Sequence, residues 1–329
     1  MNKINSGVYP TMITPYNKDG SVDLGAAEAL VEWYWKRGCH GIFAVCMSSE
    51  MFKLTPKERI LLVKTVKRKV DSLHAADPGG RIMSVVASGH VSDDREKQIK
   101  ELNEMAEAGA DSVVLITNRT NPYDCGDDEW IGQTEELISK LPQEISLGFY
   151  ECPYPEKRLI SEKMLLWMRD CGRIGFIKDT CCDKELISRR LEILRGSGVK
   201  LFNANAQTLL ATLKNGAAGF SGVMGNFNPE IFVWLFENYQ KDEKKALLIQ
   251  DYICASCVVE GIQYPLGVKY LLAEHEGIGD LIRTRMNPNI ELSDYSKACM
   301  DSCFRFNRKF ASMLNIGNDT GVIYSELLY

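Results

Sequence analysis

A lysine and a tyrosine, each closing a short apolar run, are the first chemically suggestive residues in this chain. Lys178 follows Ile174–Ile177, a pattern that predicts a short buried strand with the lysine at its C-terminal end. Burying an ammonium is costly, so a lysine is a poor packing choice there. Held neutral, the same amine is a nucleophile that forms a Schiff base with a carbonyl. The competing reading is a lysine that snorkels to solvent or pairs with Asp179. A second strand signal, Ser146–Tyr150, ends on a tyrosine 28 residues before the lysine. That gap fits one crossover helix between neighbouring parallel strands. Imine chemistry needs a proton shuttle, and a phenol supplies one. A core tyrosine with a bonded hydroxyl is the alternative for Tyr150.

The elements that must position this pair alternate along the chain. Strands are predicted at 8–13, 41–45, 83–87, 112–116, 146–150, 174–178, 200–203 and 218–222. Amphipathic helices are predicted at 23–36, 55–70, 93–108, 128–141, 161–170, 184–195 and 206–215. Thr55-Pro56-Lys57-Glu58 reads as a capping box with proline at the first helical position, and Asp93 with Glu96 repeats the idea. Eight βα alternations predict an α/β fold, a (β/α)8 TIM barrel over 1–228, with an all-helical C-terminal region over 229–329. A doubly wound sheet would carry a glycine-rich phosphate loop after its first strand, and Pro10-Thr11-Met12-Ile13 is not one. In a barrel, strand C-termini converge on one mouth, so Tyr150 and Lys178 are expected to face one pocket.

Composition narrows the class. The net charge of −5 argues against a nucleic-acid surface. The N-terminus lacks an apolar signal core and no run approaches a membrane span, which predicts a cytoplasmic protein with no membrane partner. The eleven cysteines are scattered and are expected to be reduced thiols. Cys254, Cys257, Cys299 and Cys303 have spacings compatible with a zinc site, but the favoured reading is small buried apolar residues in C-terminal helices. His40, His74, His90 and His275 form no ligand motif.

With these residues in view, the chain resembles the dihydrodipicolinate synthase / N-acetylneuraminate lyase family of class I aldolase-type barrels. The resemblance runs from Gly7 to about Pro288 and rests on ordered motifs. These are Gly7 through Tyr16 with Asp19-Gly20, then Glu50, Leu54 and Glu58-Arg59, then Tyr150 with Pro153. Ile177-Lys178-Asp179-Thr180 follows, then Gly216 with Gly219, Asn226 and Pro229, and more loosely Lys269 and Arg285 with Pro288. The resemblance implies that Lys178 condenses with the ketone of pyruvate or another 2-oxo acid and that Tyr150 moves protons. It implies that the loop after strand two holds the substrate carboxylate, with Ser48 giving a hydroxyl and Ser49 an amide. Thr180 and Ser221 are further expected substrate contacts. No metal or organic cofactor is expected, because the imine is itself the electron sink. A homo-oligomer, dimer or tetramer, is expected.

The chain also departs from the family pattern. Met47 stands where a relay hydroxyl is usual, and Thr120 where a tyrosine is usual, with Tyr123 nearby as a substitute. The arginine of dihydrodipicolinate synthases falls on Pro155, with Arg158 displaced, which argues against aspartate semialdehyde. The acidic pair of sialic acid lyases falls on Ala206-Gln207, which argues against sialic acid. Arg119 is new to the mouth and either pairs with a second substrate carboxylate or lies on the surface. The leading expectation is a Schiff-base lyase or aldolase acting by cleavage or condensation, or a dehydratase of a 2-oxo sugar acid working through the same imine. The alternative is a degenerate barrel that binds a 2-oxo acid as a sensor.

Overall fold

The computed structural model describes residues 4–120 and 125–317. Its eight parallel strands are β1 (Gly7–Val8), β2 (Gly41–Val45), β3 (Ser84–Ala87), β4 (Ser112–Ile116), β5 (Ser146–Tyr150), β6 (Ile174–Asp179), β7 (Lys200–Asn203) and β8 (Gly219–Phe220). They pair in the order β1-β8-β7-β6-β5-β4-β3-β2. Main-chain bonds close the ring: His40 N–H donates to the Val8 carbonyl, and Phe43 N–H to that of Pro10, each at 3.0 Å. The fold is a (β/α)8 TIM barrel.

The first strand is shorter than its apolar pattern. Pro10 has no N–H to give to a ladder, so regular pairing stops at Val8, and Thr11 meets Phe43 only through an isolated bridge. At the seam between β1 and β8 the backbones approach closely. A Cβ on Gly219 would lie 1.8 Å from the Gly7 carbonyl oxygen, and only glycine fits there.

The helices around the barrel are α1 (Leu24–Lys36), α2 (Pro56–Ala76), α3 (Arg95–Glu107), the single turn α4 (Thr117–Thr120), α5 (Asp127–Ser139), α6 (Glu162–Asp170), α7 (Lys184–Leu194), α8 (Leu209–Lys214) and α9 (Pro229–Asn238). The capping box at Thr55 forms as its residues predict, with Glu58 returning a carboxylate to the Thr55 N–H at 2.8 Å. At α3 the cap is Asp94, not Asp93: its carboxylate accepts from Lys97 N–H, and Asp93 pairs with Arg119 instead. Helix α9 packs on β1 and stacks Phe232 on Phe220 at 4.3 Å, so it is the eighth helix of the barrel. Three more helices follow: α10 (Glu243–Ser256), α11 (Leu266–Glu276) and α12 (Asp294–Met313). Among the described residues no single helix is long and apolar enough to cross a membrane.

An aromatic layer fills the barrel below its mouth. Phe202 lies 4.7 Å from both Tyr9 and Phe176, and Phe43 5.9 Å from Phe176. Alternation along β6 puts Phe176 in this layer and Lys178 one step above it.

Candidate active site

Tyr150 and Lys178 are register partners across β5 and β6, so their side chains leave the sheet on the same face. Both line a cavity of about 340 Å³ at the C-terminal mouth, walled also by Met47, Ser48, Thr180, Val223, Tyr264 and Met286. Lys178 is 5 % exposed and makes no ion pair among the described residues. It neither snorkels nor pairs with Asp179. Burial is the main force on its amine and pulls the pKa down to about 8, against the attraction of the Cys46 and Cys152 thiols and Glu151. The Tyr150 ring presents its face to the lysine Nζ, 4.2 Å from the centroid. Burial raises the Tyr150 pKa well above that of a free phenol.

Neighbours of the pair are fixed by a buried ionic network behind the sheet. Asp179, next along β6, points outward to the Arg190 guanidinium, which also reaches Glu151 at 2.8 Å. Glu151 accepts the Thr180 N–H at 2.8 Å, and the Thr180 hydroxyl donates to the Glu151 carbonyl at 2.7 Å. This locks the chain directly after Lys178 and Tyr150. Lys157 donates to the Thr180 carbonyl at 2.8 Å and places a cation at the cavity edge.

The loop after β2 is braced from both sides. Ser48 donates to the Thr11 hydroxyl at 3.0 Å. The Ser49 hydroxyl is spent within the loop, accepting from Cys46 N–H and donating to the Cys46 carbonyl, each at 2.7 Å. Glu50, in a left-handed conformation at φ 60°, is fully buried and accepts from Lys269 Nζ at 2.6 Å and Thr284 Oγ1 at 2.8 Å. Main-chain N–H groups of Arg285 and Met286 donate to the same carboxylate. The loop is thereby tied to the C-terminal region.

Of the residues expected from the sequence, Lys178, Tyr150, Ser48 and Thr180 converge on the cavity. Ser49, Ser221 and Arg119 are not part of its lining. Ser221 is wholly buried, and its hydroxyl has no hydrogen-bond partner among the described residues. Arg119 pairs with Asp93 and lies over the Phe52 ring, 5.5 Å from the centroid. The displaced Arg158 donates to the Cys125 carbonyl at 3.1 Å and pairs with Asp127. Gln207 donates to the Cys257 thiol at 2.9 Å. Tyr123 lies outside the described residues.

Sequence reasoning missed Tyr264, between the 3-10 turn 257–261 and α11. Its only local signal was a tyrosine before Pro265, which says nothing of the barrel. Its hydroxyl lies 3.1 Å from the Asn226 amide nitrogen, and the Ser48 and Thr11 hydroxyls act against burial to favour its ionised form. Glu260, beside it in sequence, was also missed; burial raises its carboxyl to about 7, opposed by Lys178.

The model of the Dihydrodipicolinate synthetase family matches residues 5–291. The chain belongs to that family. It is a lyase of the class I aldolase type and a divergent family member. It is 25 % identical over 286 residues to the 4-hydroxy-tetrahydrodipicolinate synthase of Brucella abortus, covering 85 % of this chain and 92 % of that one. The chloride-inhibited dihydrodipicolinate synthase of Acinetobacter baumannii, solved with pyruvate, shares the fold at TM-score 0.78 and 20 % identity, over 93 % of this chain and 99 % of its own. CdNal of Clostridium difficile, solved with mannosamine, does so at 0.77 and 17 %, over 92 % and 99 %.

Proposed function

We propose that this protein is a Schiff-base lyase for pyruvate or a closely related 2-oxo acid, with Lys178 as nucleophile and Tyr150 as an acid/base group. The observation that carries the reading is the buried, uncountered Lys178 amine, held in register with a phenol at the barrel mouth. An amine kept from its proton attacks the ketone carbon, and the protonated imine then draws electrons from the adjacent bond. Tyr150 transfers the proton lost by nitrogen to the carbinolamine oxygen. The Ser48 hydroxyl and Lys157 ammonium are the groups that meet the substrate carboxylate.

Apart from Thr180, whose hydroxyl is taken by Glu151, and Tyr264, the remaining wall favours a second reactant poor in hydrogen-bonding groups. Met47, Pro153, Val223, Pro265 and Met286 are apolar, and the Glu50 carboxylate is consumed by four donors. A polyhydroxylated sugar chain would leave its hydroxyls unpaired against such a wall. The engagement of Arg158 with Asp127, and of Gln207 with Cys257, supports excluding aspartate semialdehyde and sialic acid.

A homo-oligomer and a cytoplasmic setting complete the reading. Eleven free thiols fit a reducing compartment, and light scattering of the purified chain tests the assembly. The function is tested by borohydride reduction in the presence of pyruvate, followed by peptide mass analysis. A reduced pyruvate adduct on the Lys178 peptide is expected, and Lys178→Ala should abolish it. Binding of pyruvate without any adduct would make the protein a 2-oxo acid sensor.

A further inference from the structure

Besides Tyr150, Tyr264 is the phenol among the described residues that line the cavity. It reaches the barrel mouth from the C-terminal region of the same chain. Its surroundings settle which way its hydroxyl proton can go. The Asn226 amide is itself held by the Thr11 carbonyl at 2.8 Å and the Val223 carbonyl at 3.1 Å, and its oxygen accepts from Tyr34. The Asn226 NH2 group, its two hydrogens shared among three acceptors, also lies 3.1 Å from the Tyr264 oxygen. An amide nitrogen cannot accept, so the Tyr264 proton is directed away from Asn226 and is available to a molecule in the cavity. Ser48 and Thr11, bonded to each other at 3.0 Å, favour the ionised form of Tyr264 against the burial that opposes it.

Of the positions where a relay group was sought in sequence, Tyr123 lies outside the described residues, and the two that are described supply none. Met47 lines the cavity with a thioether, and Thr120 is buried with its hydroxyl on the Ile116 carbonyl.

We propose that Tyr264 is a catalytic proton carrier of this site, serving the departure of the substrate oxygen and the loss of a proton from C3. The proposal rests on the Schiff-base reading of Lys178. In the first step the carbinolamine C2–O bond breaks, and its hydroxyl leaves as water with the Tyr264 proton. Nitrogen shares its lone pair with C2, which gives an iminium ion beside a phenolate. In the second step the phenolate takes a proton from C3. The C3–H electron pair becomes the C2–C3 double bond, the iminium π pair returns to nitrogen, and Tyr264 is restored. The sum is amine plus 2-oxo acid giving enamine plus water, with no external oxidant or reductant. Tyr150, under the lysine, handles the earlier transfer from nitrogen to oxygen.

Exchange of the pyruvate methyl protons in D2O, followed by NMR, reads this step without knowledge of the second substrate. Tyr264→Phe is expected to slow exchange at saturating pyruvate about a hundredfold. The pyruvate KM should stay within threefold, and the borohydride adduct on Lys178 should still reach full yield. Slowing of less than tenfold, or a raised KM with unchanged maximal exchange, would overturn the proposal and leave Tyr264 a wall residue. Should Tyr264→Phe fail to fold, Thr11→Val removes one of the two hydroxyls that favour the Tyr264 phenolate. Slower exchange is then expected, and an unchanged rate overturns the proposal. Absence of any adduct in the unaltered protein is a different failure: it removes the Schiff-base reading, and this proposal with it.

Discussion

The Nζ of Lys178 lies over the face of the Tyr150 ring, 4.2 Å from its centroid, at directly paired positions of adjacent strands. The ring face is electron-rich, so it favours positive charge on the nitrogen, whereas burial opposes it. Burial dominates and pulls the pKa down. On the proposed Schiff-base reading, the amine must be neutral to attack, and the ring face would then meet the charge of the iminium.

The lowered amine pKa, about 8, sets the pH dependence of imine formation. Below that value the nitrogen carries a proton and cannot attack. At subsaturating pyruvate, the trapping rate should therefore rise about tenfold per pH unit toward pH 8 and level off above it. A rate that keeps climbing toward pH 10 would mark an ordinary exposed lysine. Stopped-flow mixing with pyruvate followed by borohydride quench measures this.

The second reactant should be apolar. With pyruvate as donor, benzaldehyde is expected to be turned over at least about tenfold more efficiently than glyceraldehyde, the range that pocket polarity alone supplies. Product formation by chromatography decides it, and a preference for glyceraldehyde would refute the apolar-wall argument.

Met47→Thr puts a hydroxyl beside Ser48 and the cavity. The expected result is a change in maximal methyl-exchange rate of about threefold or more, with KM for pyruvate within twofold, since a hydroxyl at this point touches proton movement. A change confined to KM would make Met47 a shape-determining part of the wall.

Glu50 and Lys269 form an ion pair 219 positions apart with side chains 0 % and 3 % exposed. Lys269→Met strands a buried carboxylate and should cost about 3–5 kcal/mol in stability. Thermal and urea unfolding should show this, and adding Glu50→Gln should recover part of the loss. Equal destabilisation in single and double variants would show that the pair contributes no coupling.

The barrel and the Lys178–Tyr150 pair were legible in the sequence because both depend on local signals. Strand period, helix caps and one crossover length are enough to bring two strand ends together. Ser221 and Arg119 were expected at the cavity because each follows a strand, yet adjacency to a strand end does not fix direction. Arg119 turns to Asp93 because α3 takes Asp94 as its cap and leaves Asp93 available. Tyr264 was illegible for a different reason. Its place depends on the fold of a whole helical region and on Asn226, neither of which leaves a periodic mark near residue 264.

The carboxylate of Glu50 ties the loop after β2 to Thr284, Arg285 and Met286, while Tyr264 and Pro265 form another side of the same cavity. The reaction vessel is thus assembled from both ends of the polypeptide. A fragment carrying all eight strands and Lys178 would hold the proposed nucleophile but lack a roof over it, and its amine would meet water. Transplanting this chemistry to another barrel would require moving the tail together with the lysine, as one inheritable unit.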